Sequence, residues 1–189
     1  MLAAAQTTFE RRGWSGATVA AVAAKAEVSP KTVEAIFGTK ARLLASVVDY
    51  AIRGDAGRRP MPERQVVVEM EEAEDARTML RLHAAHLRRV NSRSASIAQV
   101  VEQAAPSDSN VHALWRTMNR NRSYAVGWAA TTLMTKRGRR RALTKTDATA
   151  TFWVALDWGT YRTLTRHAKL SPQQFEDWLR GYYARQLLD

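Results

Sequence analysis

Apolar residues recur three and four positions apart along most of the chain, and strict alternation of apolar and polar residues is nearly absent. This spacing puts apolar side chains on one face of an α-helix, so the pattern predicts an all-α protein. Breaks rich in glycine, proline and hydroxyl residues divide the chain into about nine helices, short at first and longer later. Beyond residue 62 we expect a helix or loop at 63–72 and helices near 74–91, 94–105, 108–135, 147–168 and 172–188.

Several of these helices carry a start signal. Ser29-Pro30 and Ser171-Pro172 each place a hydroxyl before a proline, which suits an N-cap followed by the first helical position. Gln174 stands three residues after Ser171, as in a capping box. Thr18 and Thr39 are further candidate N-caps.

The loop Gly54–Pro62 is the strongest candidate for a domain boundary, because it combines helix breakers with charge. Short helices and tight turns precede it, and five of the six tryptophans follow it. We therefore predict an N-terminal domain at 1–53, with its fourth helix as a bridge, and a larger helical domain at 54–189.

Composition narrows the class of protein. A formal charge of +11 favours a polyanionic partner, and nucleic acid is the commonest one. The chain has no cysteine, which excludes disulfides and thiolate metal sites. We see neither an apolar run of the length that a membrane helix needs nor a secretory signal, so we expect a cytoplasmic protein without a membrane partner.

Residues 18–37 have the pattern of a helix-turn-helix. A two-turn segment begins at Thr18, a short turn ends at Val28, and a capped segment begins at Ser29. We expect Val33, Ile36 and Phe37 to point inward, which leaves polar residues on the outer N-terminal face of the second helix. In a helix-turn-helix this second helix enters the major groove of DNA.

Residues 2–44, which include this segment, resemble the TetR family of regulators over about 40 consecutive positions. The matching residues are Leu2-Ala3-Ala4-Ala5, Phe9, Gly13, Thr18-Val19, Ala23, Ala26, Val28-Ser29, Phe37, Lys40 and Leu43-Leu44. The resemblance implies that Thr18, Lys31, Thr32 and Lys40 approach DNA, with Lys40 on a phosphate. The full set of candidate DNA-binding residues is Thr18, Ser29, Pro30, Lys31, Thr32, Glu34 and Lys40.

The chain departs from the family pattern at three places. Glu27 stands where the family usually has glycine in the turn, which would strain a backbone of positive φ. Glu34 replaces a tyrosine that commonly holds a phosphate, and its carboxylate could instead accept a hydrogen bond from a cytosine amino group. The chain also begins within the first helix, where the family tends to have a preceding basic arm.

The last two predicted helices are unusually apolar, which calls for cover from two sides. A second subunit would supply that cover, and the resemblance implies dimerisation through the final two helices. The alternative is that Trp153 and Trp158 are both internal core. The predicted interface comprises Phe152, Leu156, Trp158, Leu164, Phe175, Trp178, Leu179 and Tyr182.

The resemblance also implies a ligand pocket among the helices from 74 to 168. Aromatic and methionine side chains suit a small apolar or aromatic ligand, although ordinary core packing is the alternative for each residue. The candidate lining residues are Leu82, His86, Val100, Trp115, Met118, Trp128 and Trp153.

The remaining motifs give little evidence of a metal site or of catalysis. His83 and His86 lie three apart on one predicted helix, but without a third ligand we expect no metal, and we expect no cofactor. No catalytic motif is present, so we expect no enzyme. The basic run Lys136–Lys145 and the acidic run Glu69–Asp75 are interpreted as solvated, with a second nucleic-acid patch as the alternative for the basic run.

The sequence therefore predicts a transcriptional regulator: a homodimeric repressor of a palindromic operator on double-stranded DNA, released by a small molecule. The alternatives are a non-specific architectural DNA-binding protein and a ligand-binding protein with a degenerate reading head.

Overall fold

A computed structural model describes residues 1–54 and 63–189, and within these residues the fold is helical. The described residues also form two isolated β-bridges, one between Asp75 and Arg137 and one between Arg139 and Leu188. The helical prediction is confirmed. The helices are α1 (Leu2–Gly16), α2 (Val19–Lys25), α3 (Pro30–Phe37), α4 (Lys40–Arg53), α5 (Gln65–Glu72), α6 (Ala76–Ala104), α7 (Ser109–Met134), α8 (Lys145–Ala155), α9 (Trp158–Arg162), a π-helix (Thr163–His167) and α10 (Pro172–Leu187).

The predicted N-caps are confirmed. The hydroxyls of Thr18, Ser29 and Thr39 accept hydrogen bonds from the backbone N–H three residues on, at 3.1, 3.1 and 3.2 Å. Ser171 and Gln174 form the reciprocal capping box at the start of α10. The local sequence therefore determines where these helices begin.

The chain divides into two compact units. The first comprises Met1–Ala56 and Arg93–Asn119, and the second comprises Gly57–Ser92 and Arg120–Asp189. The predicted division into domains at 1–53 and 54–189 stays a prediction. Residues 55–62 of the predicted boundary loop lie outside the described part of the chain.

Each unit has its own buried core. Phe9, Val33 and Leu44 lie in the core of the first unit, each at most 1% exposed. Phe152 and Tyr183 lie in the core of the second, where their rings pack 5.6 Å apart.

Two predicted helices have different bounds in the structure. The expected break near residue 92 is wrong, because α6 runs unbroken across it. The Ser92 hydroxyl donates to the carbonyl of Arg88 at 2.7 Å, a bond that accommodates a polar residue inside a helix. The segment predicted at 147–168 is interrupted, because Asp157 caps a new helix by accepting from the Thr160 N–H at 2.7 Å.

Charged runs interpreted as solvated contact each other in the second unit. Arg137 forms an ion pair with Glu74 at 2.6 Å, with both side chains largely exposed. The backbone N–H of Ala76 bonds to the carbonyl of Arg137 at 2.9 Å. The carboxylate of Asp75 accepts from the Thr78 N–H and hydroxyl, and these bonds lower its pKa below the ordinary value. The basic loop is thus attached to the acidic segment that begins α6.

Candidate DNA-reading surface

The helix-turn-helix consists of α2, a turn and α3, held by capping bonds at both helix starts. Thr18 caps α2 and Ser29 caps α3. The Ser29 hydroxyl also lies 2.9 Å from the Thr32 hydroxyl. Pro30 occupies the first helical position, where its missing N–H costs no hydrogen bond. Thr18 and Ser29 therefore position the two helices, while their contact with DNA stays a prediction.

The turn contains a strained residue. Glu27 has φ of 55°, in the left-handed region that glycine adopts without cost. The condition under which a non-glycine residue is strained in this turn is therefore met. A left-handed backbone costs a non-glycine residue roughly 1–2 kcal/mol, so the turn is retained against a local penalty.

The outer face of α3 is polar at its N-terminal end. Lys31, Thr32 and Glu34 are exposed, whereas Val33 is 1% exposed and faces the core. The predicted reading residues on this helix are thus brought together on one accessible surface. This arrangement lets donors and acceptors of side chains reach base edges in a major groove.

Ile36 corrects the predicted inward set. We expected it to face the core with Val33 and Phe37, but its side chain is 59% exposed. At about 100° per residue, Ile36 lies about 60° around the helix from Val33 and about 100° from Phe37, at the edge of the apolar face. Val33 and Phe37 lie one turn apart and leave Ile36 to the outside.

Lys40 begins α4 and is partly buried. Its ammonium group lies 4.2 Å from the centroid of the Trp14 ring, a cation–π contact. Burial lowers the pKa of Lys40, and attraction by Asp108 acts in the opposite direction. The indole orients the ammonium group, which supports a role on a phosphate. No pattern in the sequence predicts this contact between Lys40 and Trp14.

Arg93 was missed by the sequence analysis and joins three helices of the first unit. Its guanidinium donates to the carbonyls of Ala51 and Ile52, at 3.0 and 3.2 Å, in the last turn of α4. Its own carbonyl accepts from the Gln6 side chain of α1 at 2.9 Å. A cation at a helix C-terminus also interacts favourably with the helix dipole. Arg93 therefore attaches α6 to the end of α4.

Gly54, which ends α4, fits this arrangement. It has φ of 81°, and a Cβ placed there would lie 2.6 Å from the guanidinium carbon of Arg93. Glycine is thus required both by the backbone conformation and by the close approach of Arg93.

The predicted pocket residues are divided between the units. Val100, Trp115 and Met118 belong to the first unit, and the other four belong to the second. Among the latter, Trp128 donates from its indole to Glu71 at 2.8 Å. The ring of Trp153 lies 4.9 Å from the guanidinium carbon of Arg122. The pocket stays a prediction.

Part of the predicted dimer interface is internal core. Phe152, Phe175 and Leu179 are 0% exposed in the single chain, so they have no surface to offer a second subunit. Trp158 is also buried. These four residues are thus covered within the single chain, whereas Trp153 is half-buried, and the interface as a whole stays a prediction. Four members remain half-buried and keep accessible surface: Leu156, Leu164, Trp178 and Tyr182.

His83 has a structural role. It is 3% exposed, lies 2.7 Å from the Tyr183 hydroxyl through Nδ1, and packs edge-on against Phe152. Burial, and to a smaller extent His86, lower the pKa of His83 to about 3. Burial likewise raises the pKa of Tyr183 well above its ordinary value. In the residues that the structure describes, no group of three potential metal ligands occurs.

Comparisons with known proteins agree with this geometry. Residues 1–47 match the model of a family described as bacterial regulatory proteins, tetR family. The comparison with curated proteins gave no match. No helix in the described residues is long and apolar enough to cross a membrane.

Solved structures with this fold cover nearly the whole chain. A putative TetR-family transcriptional regulator from Rhodococcus sp. has a TM-score of 0.67 at 17% identity, over 98% of this chain and 95% of that one. A putative transcriptional regulator from Saccharomonospora viridis, in complex with choline, has a TM-score of 0.69 at 16% identity, over 100% and 95%. A putative transcriptional regulator from Pseudomonas aeruginosa PAO1 has a TM-score of 0.66 at 15% identity, over 96% of this chain and 85% of that one.

Residues 1–47 are thus similar to the tetR family of bacterial regulatory proteins, and they contain the capped helix-turn-helix with its exposed polar face. The fold of nearly the whole chain is shared with solved structures of transcriptional regulators.

Proposed function

We propose that the protein is a cytoplasmic, dimeric repressor that binds a palindromic operator and is released by a small molecule. The observation that carries the proposal is the exposed face of Lys31, Thr32 and Glu34 on α3. Two capped helix starts and a turn retained despite strain at Glu27 hold that face. The proposal includes no catalytic activity.

In this function α3 reads base edges and the start of α4 binds the backbone. Lys31 and Thr32 donate to base edges, and Glu34 accepts from a cytosine amino group. Lys40 contacts a phosphate, with Trp14 beneath its ammonium group. The charge of +11 adds a sequence-independent attraction that accelerates association.

Release by a ligand requires that movement elsewhere in the chain changes the position of α4. Arg93 is the physical link, since it belongs to α6 and bonds to the last carbonyls of α4. A ligand that favours a displaced α6 therefore favours a displaced α4, to the extent that it binds the two states with different affinity.

Dimerisation places two reading helices about 34–36 Å apart, one turn of the double helix. Four half-buried residues support this proposal, because they offer accessible apolar surface. Leu156 lies at the end of α8, Leu164 in the π-helix, and Trp178 and Tyr182 on α10. The rings of Trp178 and Tyr182 stack 5.4 Å apart with 5° between their planes, which presents one flat aromatic surface.

The chemistry of the ligand is narrowed by Arg122. The Saccharomonospora viridis structure contains choline, a quaternary ammonium ion. In this chain the guanidinium of Arg122 covers the rings of Trp153 and Trp158, at 4.9 and 5.7 Å. A cationic ligand would have to displace Arg122 from those rings. Because Arg122 already forms an ion pair with Asp157 at 2.9 Å, we favour an uncharged aromatic ligand.

Selection from a random pool of DNA duplexes at physiological salt tests the function. The proposal predicts one palindromic motif, bound with two protomers per duplex. Recovery of no motif, with binding that vanishes as salt rises, would identify a non-specific architectural protein instead. Absence of DNA binding at any salt would leave a ligand-binding protein with a degenerate reading head.

A further inference from the structure

A large apolar side chain lies exposed on the DNA-reading helix. Among the described residues the exposed large hydrophobic side chains are Met1, Ile36, Tyr124 and Val154, and Ile36 is the member on α3. Its side chain is 59% exposed. A single exposed apolar residue is common on protein surfaces, so the position of Ile36 on the reading helix, and not its exposure alone, carries the argument.

Helical geometry places Ile36 beside the reading residues. It follows Thr32 by four positions, so the two side chains lie about 40° apart and one turn apart along the helix axis. Ala35, also exposed, lies in the same way one turn beyond Lys31. The reading face is therefore polar at its N-terminal turn and apolar at its second turn.

The surroundings of Ile36 favour DNA over a second protein as its occupant. Ile36 lines a shallow groove with Ala35 and Phe37, and the exposed Arg42 of α4 lines the same groove. A twofold contact between copies, centred on this groove, would bring their Arg42 guanidinium groups together. A polyanion instead meets this charge favourably. One exposed isoleucine also supplies far less area than the ~1,200 Å² that a stable protein interface buries.

We propose that Ile36 reads the 5-methyl group of a thymine in each operator half-site, with Arg42 on the adjacent phosphate. The methyl group is the apolar feature that thymine presents in the major groove, and apolar side chains recognise it. This inference rests on the proposed function and adds a base preference to it: the half-site contains an A·T pair opposite the second turn of α3.

Uracil substitution tests this contact without altering base pairing. Each thymine of the selected operator is replaced in turn by uracil, which lacks only the methyl group, and affinity is measured by fluorescence anisotropy at fixed salt. We expect one thymine in each half-site to respond. Removing its methyl group costs ~0.8 kcal/mol of apolar contact, which weakens binding about fourfold for a single uracil. Ile36→Ala removes the contact in both half-sites, so it weakens binding to the thymine duplex by about fourfold for each half-site, roughly fifteenfold together. It also abolishes the response to uracil at that position.

Val154→Ala is the matched control, because Val154 is an exposed branched residue on α8 at 42% exposure. It leaves the uracil profile unchanged. The inference is overturned if no thymine responds, if Ile36→Ala retains the response, or if the selected motif lacks A·T pairs. A change in oligomeric state of Ile36→Ala, measured by light scattering, would also overturn it. Failure to select any motif, by contrast, contradicts the proposed function itself.

Discussion

Arg93→Ala is the most informative perturbation of the first unit, because this residue bonds to helix α4 from helix α6. The substitution removes the guanidinium that donates to Ala51 at 3.0 Å and Ile52 at 3.2 Å. It also removes a cation from the C-terminal end of α4. The backbone bond from Gln6 to the Arg93 carbonyl is retained, since it does not involve the substituted side chain.

The expected cost follows from these two bonds. Hydrogen bonds to charged groups contribute about 1.5–3 kcal/mol when buried. Arg93 is half-exposed, and water can replace it at both carbonyls, so about 1 kcal/mol for each bond is the appropriate magnitude. We therefore expect the free energy of unfolding to fall by about 2 kcal/mol. Arg93→Lys keeps the charge but has no planar fork, and should recover about half of the loss.

Urea unfolding followed by tryptophan fluorescence measures this loss. Arg89→Ala is the control, because Arg89 lies on the same helix and is exposed. A double-mutant cycle with Gly54→Ala adds a second test, since the clash of its Cβ with Arg93 disappears when Arg93 is alanine. If Arg93→Ala costs no more than Arg89→Ala, or if the two substitutions are additive, the link between α6 and α4 is refuted.

Three further perturbations follow. Glu27→Gly relieves the left-handed strain, worth roughly 1–2 kcal/mol, but adds about 0.4–1 kcal/mol of unfolded-state freedom, so urea unfolding should show a net gain near 1 kcal/mol. Lys40→Ala should weaken binding to every duplex by a similar factor and reduce the slope of log affinity against log salt by about 0.9 per protomer. His83 stays neutral in the folded chain down to pH near 3, whereas in the unfolded chain it gains a proton below about pH 6.5. The contribution of neutral His83 to the free energy of unfolding is therefore complete above pH 6.5 and falls as the pH is lowered. Between pH 7 and pH 5 the free energy of unfolding of His83→Gln should fall by about 2 kcal/mol less than that of the wild-type protein.

Each has a control that isolates its cause. Glu27→Ala removes the charge but keeps a Cβ, so a gain equal to that of glycine would exclude backbone strain as the cause. Lys145→Ala removes an exposed lysine on α8, and an equal change in salt slope would contradict a special role for Lys40. His167→Gln removes an exposed histidine, and an equal effect on the pH dependence would exclude burial of His83 as its origin.

Local signals predicted the reading head well. Thr18, Ser29 and Thr39 were identified as N-caps from the sequence, and the structure confirms them because a hydroxyl next to a helix start meets a local need of the backbone. The Thr144–Asp147 capping box was overlooked, although its spacing is visible in the sequence.

Contacts between distant residues could not be predicted. Glu176 is 3% exposed and accepts hydrogen bonds from Arg88, at 2.6 Å, and from Arg180. Arg88 and Glu176 are 88 positions apart, and no sequence pattern indicates that they pair. The prediction that Ile36 faces the core was wrong for a related reason. An apolar residue contributes to the hydrophobic pattern of the sequence in the same way whether it packs in the core or lies on the surface. Position in the fold, and not residue type, decides between the two.

The ratio of affinities for the selected palindrome and for a scrambled duplex of equal length, at physiological salt, tests the central claim most directly. Sequence-specific reading by α3 predicts a ratio of about 10³ or more for the wild-type protein. It also predicts a sharp fall in that ratio for Lys31→Ala, because Lys31 lies on the exposed reading face. A ratio near one for the wild-type protein would show that charge alone drives binding and would contradict this account.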